Sequence, residues 1–226
     1  MSFTWLPTAD SFHGKSGDLT VECRPLEGLL LQVGDLSVGT VLGIEVVDAV
    51  NLGPQLLTTE GARPEMVIRQ DTLLAHFAPT TRRPVECQAR WRVLPEGVRD
   101  LEVSTLTPGK WDGLAVQTHS RFKRTSMTAQ EVVIDDSVVP GIILYRPAAA
   151  QFTYAEFCHP FDGIGLEVKQ QDGMHSARYR LFGHDLEKGV ILRGRLRGVL
   201  LPRAVDVAAA HAAYQRFLAE PPNLTL

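Results

Sequence analysis

The chain has 226 residues, 44% of them hydrophobic and 22% charged, with a formal net charge of −3. A chain of that size buries a sizeable core without disulfides or metals, and no excess of basic residues advertises nucleic acid. No uncharged apolar run reaches the about 18 residues of a membrane-spanning helix, and three widely spaced cysteines (Cys23, Cys87, Cys158), an odd number, argue against a disulfide framework.

The opening stretch MSFTWLPTADSFHGKSG has no basic region followed by an apolar one, so no secretory signal is read and a cytoplasmic location is expected. Short β-branched and alternating runs follow. DLTVEC (18–23), GLLLQV (28–33) and SVGTVLGIEVVDAV (37–50) come first, then EMVIRQD (65–71), TLLAHFAP (72–79), VECQARWRVLP (85–95) and RDLEVSTLTP (99–108). LAVQTHSRF (114–122), EVVIDD (131–136), GIILYRP (141–147), GIGLEVKQ (163–170), SARYRLFG (176–183) and KGVILRGRLRGVLL (188–201) complete the series. Gly, Pro, Asp and Asn clusters separate these runs and no amphipathic helix is interleaved, which predicts an all-β, antiparallel sandwich. QQDG (170–173) and LPEG (94–97) read as hairpin turns, and the doublet GDLTV and GDLSV as two similar strand starts.

The last element differs. In VDVAAAHAAYQRFLAE the residues Val207, Ala210, Tyr214 and Phe217 recur at helical spacing, which predicts a C-terminal helix over about 205–219. Asp206 is expected to cap it, and Pro221–Pro222 to stop it. No linker rich in Pro or Ser divides the chain, so residues 1–226 are read as one domain.

Three places carry candidate chemistry. QFTYAEFCHPFDGIG (151–165) sets Glu156, Cys158 and His159 close together. Strand alternation sends Cys158 and His159 to opposite faces and pairs Cys158 with Glu156, which disfavours a local metal site. A core position is expected for Cys158, and a rim position for His159 before Pro160. The second place is a stripe of arginines. Arg193, Arg195 and Arg197 fall on one face of a strand, with Leu192, Leu196, Leu200, Gly194 and Gly198 on the other. Arg178 and Arg180 lie on one face of the preceding strand. A hairpin between the two strands would gather all five arginines on one surface, offset by Glu167, by Glu156, or by an anionic or polyol ligand. His184, Asp185 and Glu187 in the connecting GHDLEK would supply an acid–base pair at its rim. The third is TLTPGKWDGL (105–114), where Trp111 either stacks on a sugar ring or folds back onto the core.

Taken together, CQARWRVLPEGVRDLEVSTLTPGKWDGLAVQTHSRF resembles the middle of galactose-mutarotase-like β-supersandwich proteins. FTYAEFCHPFDGIGLEV and YRLFGHDLEKGVILRGRLRGVLLPR resemble the C-terminal half of small uncharacterised proteins of that kind, so the likeness covers about residues 85–203. The resemblance implies large antiparallel sheets forming a groove of Arg, His and carboxylates around a sugar, with a histidine acid and a glutamate base. Mutarotases resemble one another around an Asn-His-x-Tyr-Phe-Asn segment that this chain lacks, so no catalytic pair is carried over. The expected function is carbohydrate binding, or carbohydrate chemistry of the aldose-epimerase type. His159 or His184 would act as acid and Glu156, Glu167 or Glu187 as base. Arg178, Arg193, Arg195, Glu167, Trp111 and Tyr154 would serve as ligand contacts. No metal, cofactor, nucleic acid or membrane partner is expected. The alternative is an interaction module whose arginine face docks an acidic partner or a second copy of the chain, and a third reading makes Cys158 a nucleophile served by His159, His76 or His119.

Overall fold

The computed structural model describes residues 3–8, 11–25, 27–57, 63–94, 97–107, 109–123, 127–134 and 137–221. Its strands in chain order are β1 (Leu6–Pro7), β2 (Phe12–Ser16), β3 (Leu19–Arg24), β4 (Gly28–Val33), β5 (Leu36–Asp48), β6 (Gln55–Leu56), β7 (Glu65–Arg69), β8 (Thr72–Phe77) and β9 (Glu86–Val93). They continue with β10 (Val98–Leu106), β11 (Trp111–Lys123), β12 (Met127–Ile134), β13 (Ser137–Pro147), β14 (Phe152–Cys158), β15 (Gly163–Gln171), β16 (Met174–Leu186) and β17 (Ile191–Pro202). A 3-10 turn, Arg203–Val205, leads into α1 (Asp206–Ala219). The front sheet runs β1-β2-β3-β4-β5-β11-β16-β15 with β6 beside β5, and the back sheet runs β12-β13-β14-β17-β10-β9-β8-β7. Every pairing is antiparallel. The all-β sandwich with a C-terminal helix is therefore the observed architecture. Among the described residues no helix is long and apolar enough to cross a membrane.

Period-two patterning explains which faces meet. Cys87, Ala89, Trp91 and Val93 of β9 are buried while Glu86, Gln88, Arg90 and Arg92 alternate with them in partly exposed positions. The main core lies between the sheets and includes Trp91, Phe122, Tyr145, Tyr154 and Tyr179. A second cluster forms on the outer side of the back sheet, where Ala210, Ala213, Tyr214 and Phe217 of α1 cover Ile142, Leu144, Ala155, Phe157 and Val199. Each of its buried aromatics contributes about 1.5–3 kcal/mol.

Local turn chemistry follows the sequence at QQDG, where Asp172 and Gly173 both take positive φ (52° and 73°) and Gln171 pairs with Met174. Two such residues give a hairpin turn whose twist matches its strands. Of LPEG, Pro95 and Glu96 lie outside the described residues, as does Pro222. Gly17 and Gly34 of the doublet sit in the β2–β3 and β4–β5 turns, so the repeat reflects two hairpins.

Two expectations need correction. Asp206 is not the cap: Val205 holds that position without a side-chain hydrogen bond, and Asp206 is the first helical residue. Its carboxylate instead accepts from Arg146 Nε (2.7 Å), Arg146 Nη2 (3.0 Å) and Thr153 Oγ1 (2.6 Å). Charge-assisted bonds from the sheet outcompete a cap, and they tether the start of the helix. Nor do β16 and β17 form a hairpin. β16 pairs β11 and β15 in the front sheet, whereas β17 pairs β10 and β14 in the back sheet. Alternation fixes which face a residue takes but not which strand lies beside it. Gly194 instead lets the other sheet approach closely, since a Cβ there would meet the Phe182 ring at 3.0 Å.

Candidate functional site

On β11, Leu114, Val116, Thr118, Ser120 and Phe122 face the core, which turns Gln117, His119 and Arg121 to the outer face of the front sheet. β16 presents Arg178 and Arg180 to the same face, with Ala177, Tyr179 and Leu181 inward. The register aligns these residues into rows. His119 pairs with Arg178, which pairs with Glu167 of β15, and Gln117 pairs with Arg180, which pairs with Gly165. With strands about 4.8 Å apart, His119 and Glu167 stand about 10 Å from each other with Arg178 between them. A cleft of about 240 Å³ opens here, lined by Gln117, Gly165, Leu166, Glu167, Arg178 and Arg180.

Glu45 of β5 organises the adjoining corner. Its Oε1 accepts from Arg121 Nη2 at 3.0 Å, while Oε2 lies 3.7 Å from His119 Nδ1 and 4.0 Å from Arg178 Nε. Arg180 reaches Asp48 at 3.7 Å. His119 is only 3% exposed. Its ring hydrogen-bonds the Glu27 carbonyl and lies over Gly43, where a Cβ would come within 2.6 Å of Nε2. Burial, aided by Arg121 and opposed by Glu45, pulls its pKa down to about 4. The imidazole is therefore neutral at neutral pH and closed to solvent. Glu167, by contrast, is half-exposed and pairs with Lys169 at 2.7 Å.

The arginines of β17 face the other way, onto the outer side of the back sheet. Across β10 they meet carboxylates: Asp100 pairs with Arg197 on one side and Arg92 on the other, and Glu102 with Arg195 and Arg90. Arg197 donates to Asp100 (2.6 and 2.9 Å) and to the Glu220 carboxylate (2.7 and 2.7 Å) while stacking on Phe217. Arg195 donates through its backbone N–H to Asp162 Oδ2 (2.9 Å) and through Nη1 to the Glu220 carbonyl (3.0 Å). An acidic strand between two basic ones answers the repulsion that a bare arginine stripe would suffer. The unmatched charge that would suit an acidic docking partner is therefore missing at Arg195 and Arg197.

The remaining sequence candidates occupy separate environments. Tyr154, Glu156 and Cys158 point into the core, as alternation requires, and Tyr154 and Glu156 are too buried to line a surface groove. Glu156 Oε1 accepts from Ser120 Oγ at 2.6 Å, and burial raises its pKa to about 8 despite that bond. Burial likewise pushes the Cys158 thiol up to about 12, far from a reactive thiolate. His159 sits at the strand exit with 9% exposure, accepting from the Phe161 N–H at Nδ1 (3.4 Å), 3.9 Å from Asp162 and edge-on to Phe217. It and Arg195 meet through Asp162. His184 and Glu187 are exposed at the far end of β16, near half-buried Trp111, which packs on the main core. Of the ten candidates, only Arg178 and Glu167 share the front cleft. His119 and Glu45 are the site residues that sequence reasoning passed over. The alternation Gln117, His119, Arg121 was readable, but the row joining His119 to Glu167 spans three strands and 48 positions. Among the described residues no group of three or more His, Cys, Asp or Glu is placed to hold a metal ion.

The two sheets and this polar outer face make an antiparallel β-sandwich with an open, charged surface. No protein-family model matches the chain, and no curated protein matches it in sequence. Among solved structures, the Slr1438 protein from Synechocystis sp. PCC 6803 is 7% identical with a TM-score of 0.64, covering 89% of this chain and 99% of its own. The GalM/aldose epimerase homologue from C. elegans is 9% identical with a TM-score of 0.53, over 88% and 98%. A mutant of heparan sulfate lyase HepC from Pedobacter heparinus is 5% identical with a TM-score of 0.57, over 89% of this chain but 37% of that one. At such identities the likeness is one of fold.

Proposed function

We propose that the protein binds a monosaccharide on the outer face of the front sheet, over Arg178, without turning it over. The observation that carries this reading is the row of Arg178 and Glu167 beside Gln117 and Arg180 in one open cleft. Guanidinium and amide N–H groups donate to sugar oxygens, and the Glu167 carboxylate accepts from hydroxyls, so donors and acceptors are both at hand. The fold is shared with an aldose epimerase homologue and a polysaccharide lyase, so fold alone does not select the chemistry. Opening a hemiacetal ring needs a proton delivered to the ring oxygen. His119 is the imidazole nearest the row, and it is neutral, enclosed and engaged by Glu27. That enclosure supports binding without turnover.

The test is NMR titration with glucose, galactose, mannose, N-acetylglucosamine and glucuronate, beside polarimetry of freshly dissolved α-D-glucose and α-D-galactose. At least one sugar should bind. Arg178→Ala and Glu167→Gln should each weaken it about tenfold or more, the effect of one charge-assisted hydrogen bond. The rate of mutarotation should equal the spontaneous one. Binding that survives both substitutions, or no binding at all, would sink the reading, and accelerated mutarotation would convert it to an epimerase.

A further inference from the structure

The back sheet carries a second concavity, on the opposite side of the sandwich from the cleft over Arg178. Its volume is about 410 Å³, within the range of small-molecule sites, about 300–1,000 Å³. Five adjacent strands each give one outward side chain to a single cross-strand row. Glu65 of β7 pairs with His76 of β8, His76 with Gln88 of β9, Gln88 with Ser104 of β10, and Ser104 with Arg193 of β17. Four strand spacings make this line of hydrogen-bonding groups about 19 Å long. Exposed apolar residues flank it, Val67 towards one end and Leu106 and Ile191 towards the other.

The groups in the groove are already arranged with one another. His76 Nε2 lies 3.1 Å from Glu86 Oε1, which also accepts from Gln88 Nε2 at 3.0 Å, and Glu102 lies 3.7 Å from Arg90. Three carboxylates (Glu65, Glu86, Glu102) stand against three guanidinium groups (Arg69, Arg90, Arg193). A surface built for a polyanion would carry a net positive charge, and this one does not. Charge balance, alternating donors and acceptors, and apolar flanks match a ligand of many hydroxyls and no charge. A pyranose chain also advances per ring by a distance close to the strand spacing, so successive rings meet successive strands. Beside the groove, Phe217 and Glu220 of the helix end close over Arg195 and Arg197, which confines a ligand to the row from Glu65 to Arg193.

We propose that this groove is a second site, binding a neutral oligosaccharide of which about three to four rings lie across the strands between Glu65 and Arg193. It is independent of the monosaccharide reading, because the two faces share no residue.

The experiment is isothermal titration of the full chain with maltotriose, cellotriose, xylotriose and mannotriose, and with a sulfated heparin-derived trisaccharide as contrast. Amide shift mapping of the wild type accompanies it. At least one neutral trisaccharide should bind, with shifts concentrated on β8, β9, β10 and β17. A Gln88→Ala/Ser104→Ala double variant of unaltered melting temperature should lose at least tenfold in affinity, while Glu167→Gln on the opposite sheet should change nothing. Should that double variant fold poorly, Ile191→Asp at the apolar flank reports on the same groove. The proposal is overturned if no neutral trisaccharide binds, if the shifts fall on β11, β15 and β16, or if only the sulfated probe binds. Loss of monosaccharide binding in Arg178→Ala with trisaccharide binding intact would separate the two sites.

Discussion

Glu156→Gln is expected to stabilise the protein at neutral pH and to remove much of its pH dependence. The carboxyl is fully enclosed between the sheets, in an interior shared with the hydroxyls of Tyr145, Tyr154 and Tyr179. It accepts from Ser120 Oγ, which itself accepts from the Leu42 N–H. Burial moves its pKa from 4.5 to about 8. In the unfolded chain the group loses its proton near pH 4.5, while in the folded chain it keeps it to about pH 8, so between those values folding takes up a proton. Its contribution is complete below pH 4.5 and is lost progressively as pH rises through the folded value. At about 1.4 kcal/mol per pH unit, the loss over the whole interval is about 5 kcal/mol. Glutamine keeps the acceptor for Ser120 and carries no charge in either state. The variant should therefore match the wild type near pH 4.5 and exceed it by about 3 kcal/mol at pH 7. Urea unfolding of both proteins from pH 5 to pH 8 gives the difference directly, and every other titrating group cancels in it. A difference that stays constant within about 1 kcal/mol across that range would show that Glu156 titrates alike in both states, refuting the burial argument.

Asp206→Ala should cost about 2–3 kcal/mol, since it strands the partly buried Arg146 guanidinium and frees the start of α1. Arg146 holds the Asp206 carboxyl below its ordinary value, so the contribution is present above about pH 3.8 and fades only as pH falls through the lower folded value. Chemical denaturation at pH 7 and pH 3 checks both parts, and equal stability at pH 7 would contradict the tether. Thiol titration of the native protein at pH 8 should label none of the three buried cysteines, and all three after denaturation. Native labelling of Cys158 would instead reopen a nucleophilic role for it.

The sequence made strand positions, the terminal helix and the facing of side chains legible, because each is set within a few residues by a period of two or 3.6. Cys158 and Glu156 point inward together for that reason, and His159 stands apart from them at the strand exit. What stayed hidden was the identity of neighbours. Arg197 looked destined for Arg178 and Arg180 on the preceding strand, yet its partner is Asp100, 97 positions earlier, with Glu220 following from the helix end. Nothing local in RLFGHDLEKGVILRGR records that the chain crosses to the other sheet between Leu186 and Ile191. The same long-range pairing concealed His119, whose significance depends on lying two strands from Glu167.

The position of β17 governs when the molecule can assemble. It follows every other described strand in the chain and sits in the middle of its sheet, with β14 on one side and β10 on the other, so Val98 waits for Val199. A chain growing from its N-terminus can finish hairpins such as β3–β4 and β8–β9 early. Until residues 191–202 emerge, however, the back sheet exists as two fragments with open edges, β7 to β10 and β12 to β14. Such pairing at great sequence distance slows folding and leaves edges exposed to other chains meanwhile. Truncation just before β17 should thus yield an aggregating product, whereas a cut between Pro202 and Asp206 keeps both sheets complete and takes away α1, the second core and the Glu220 contacts to Arg195 and Arg197.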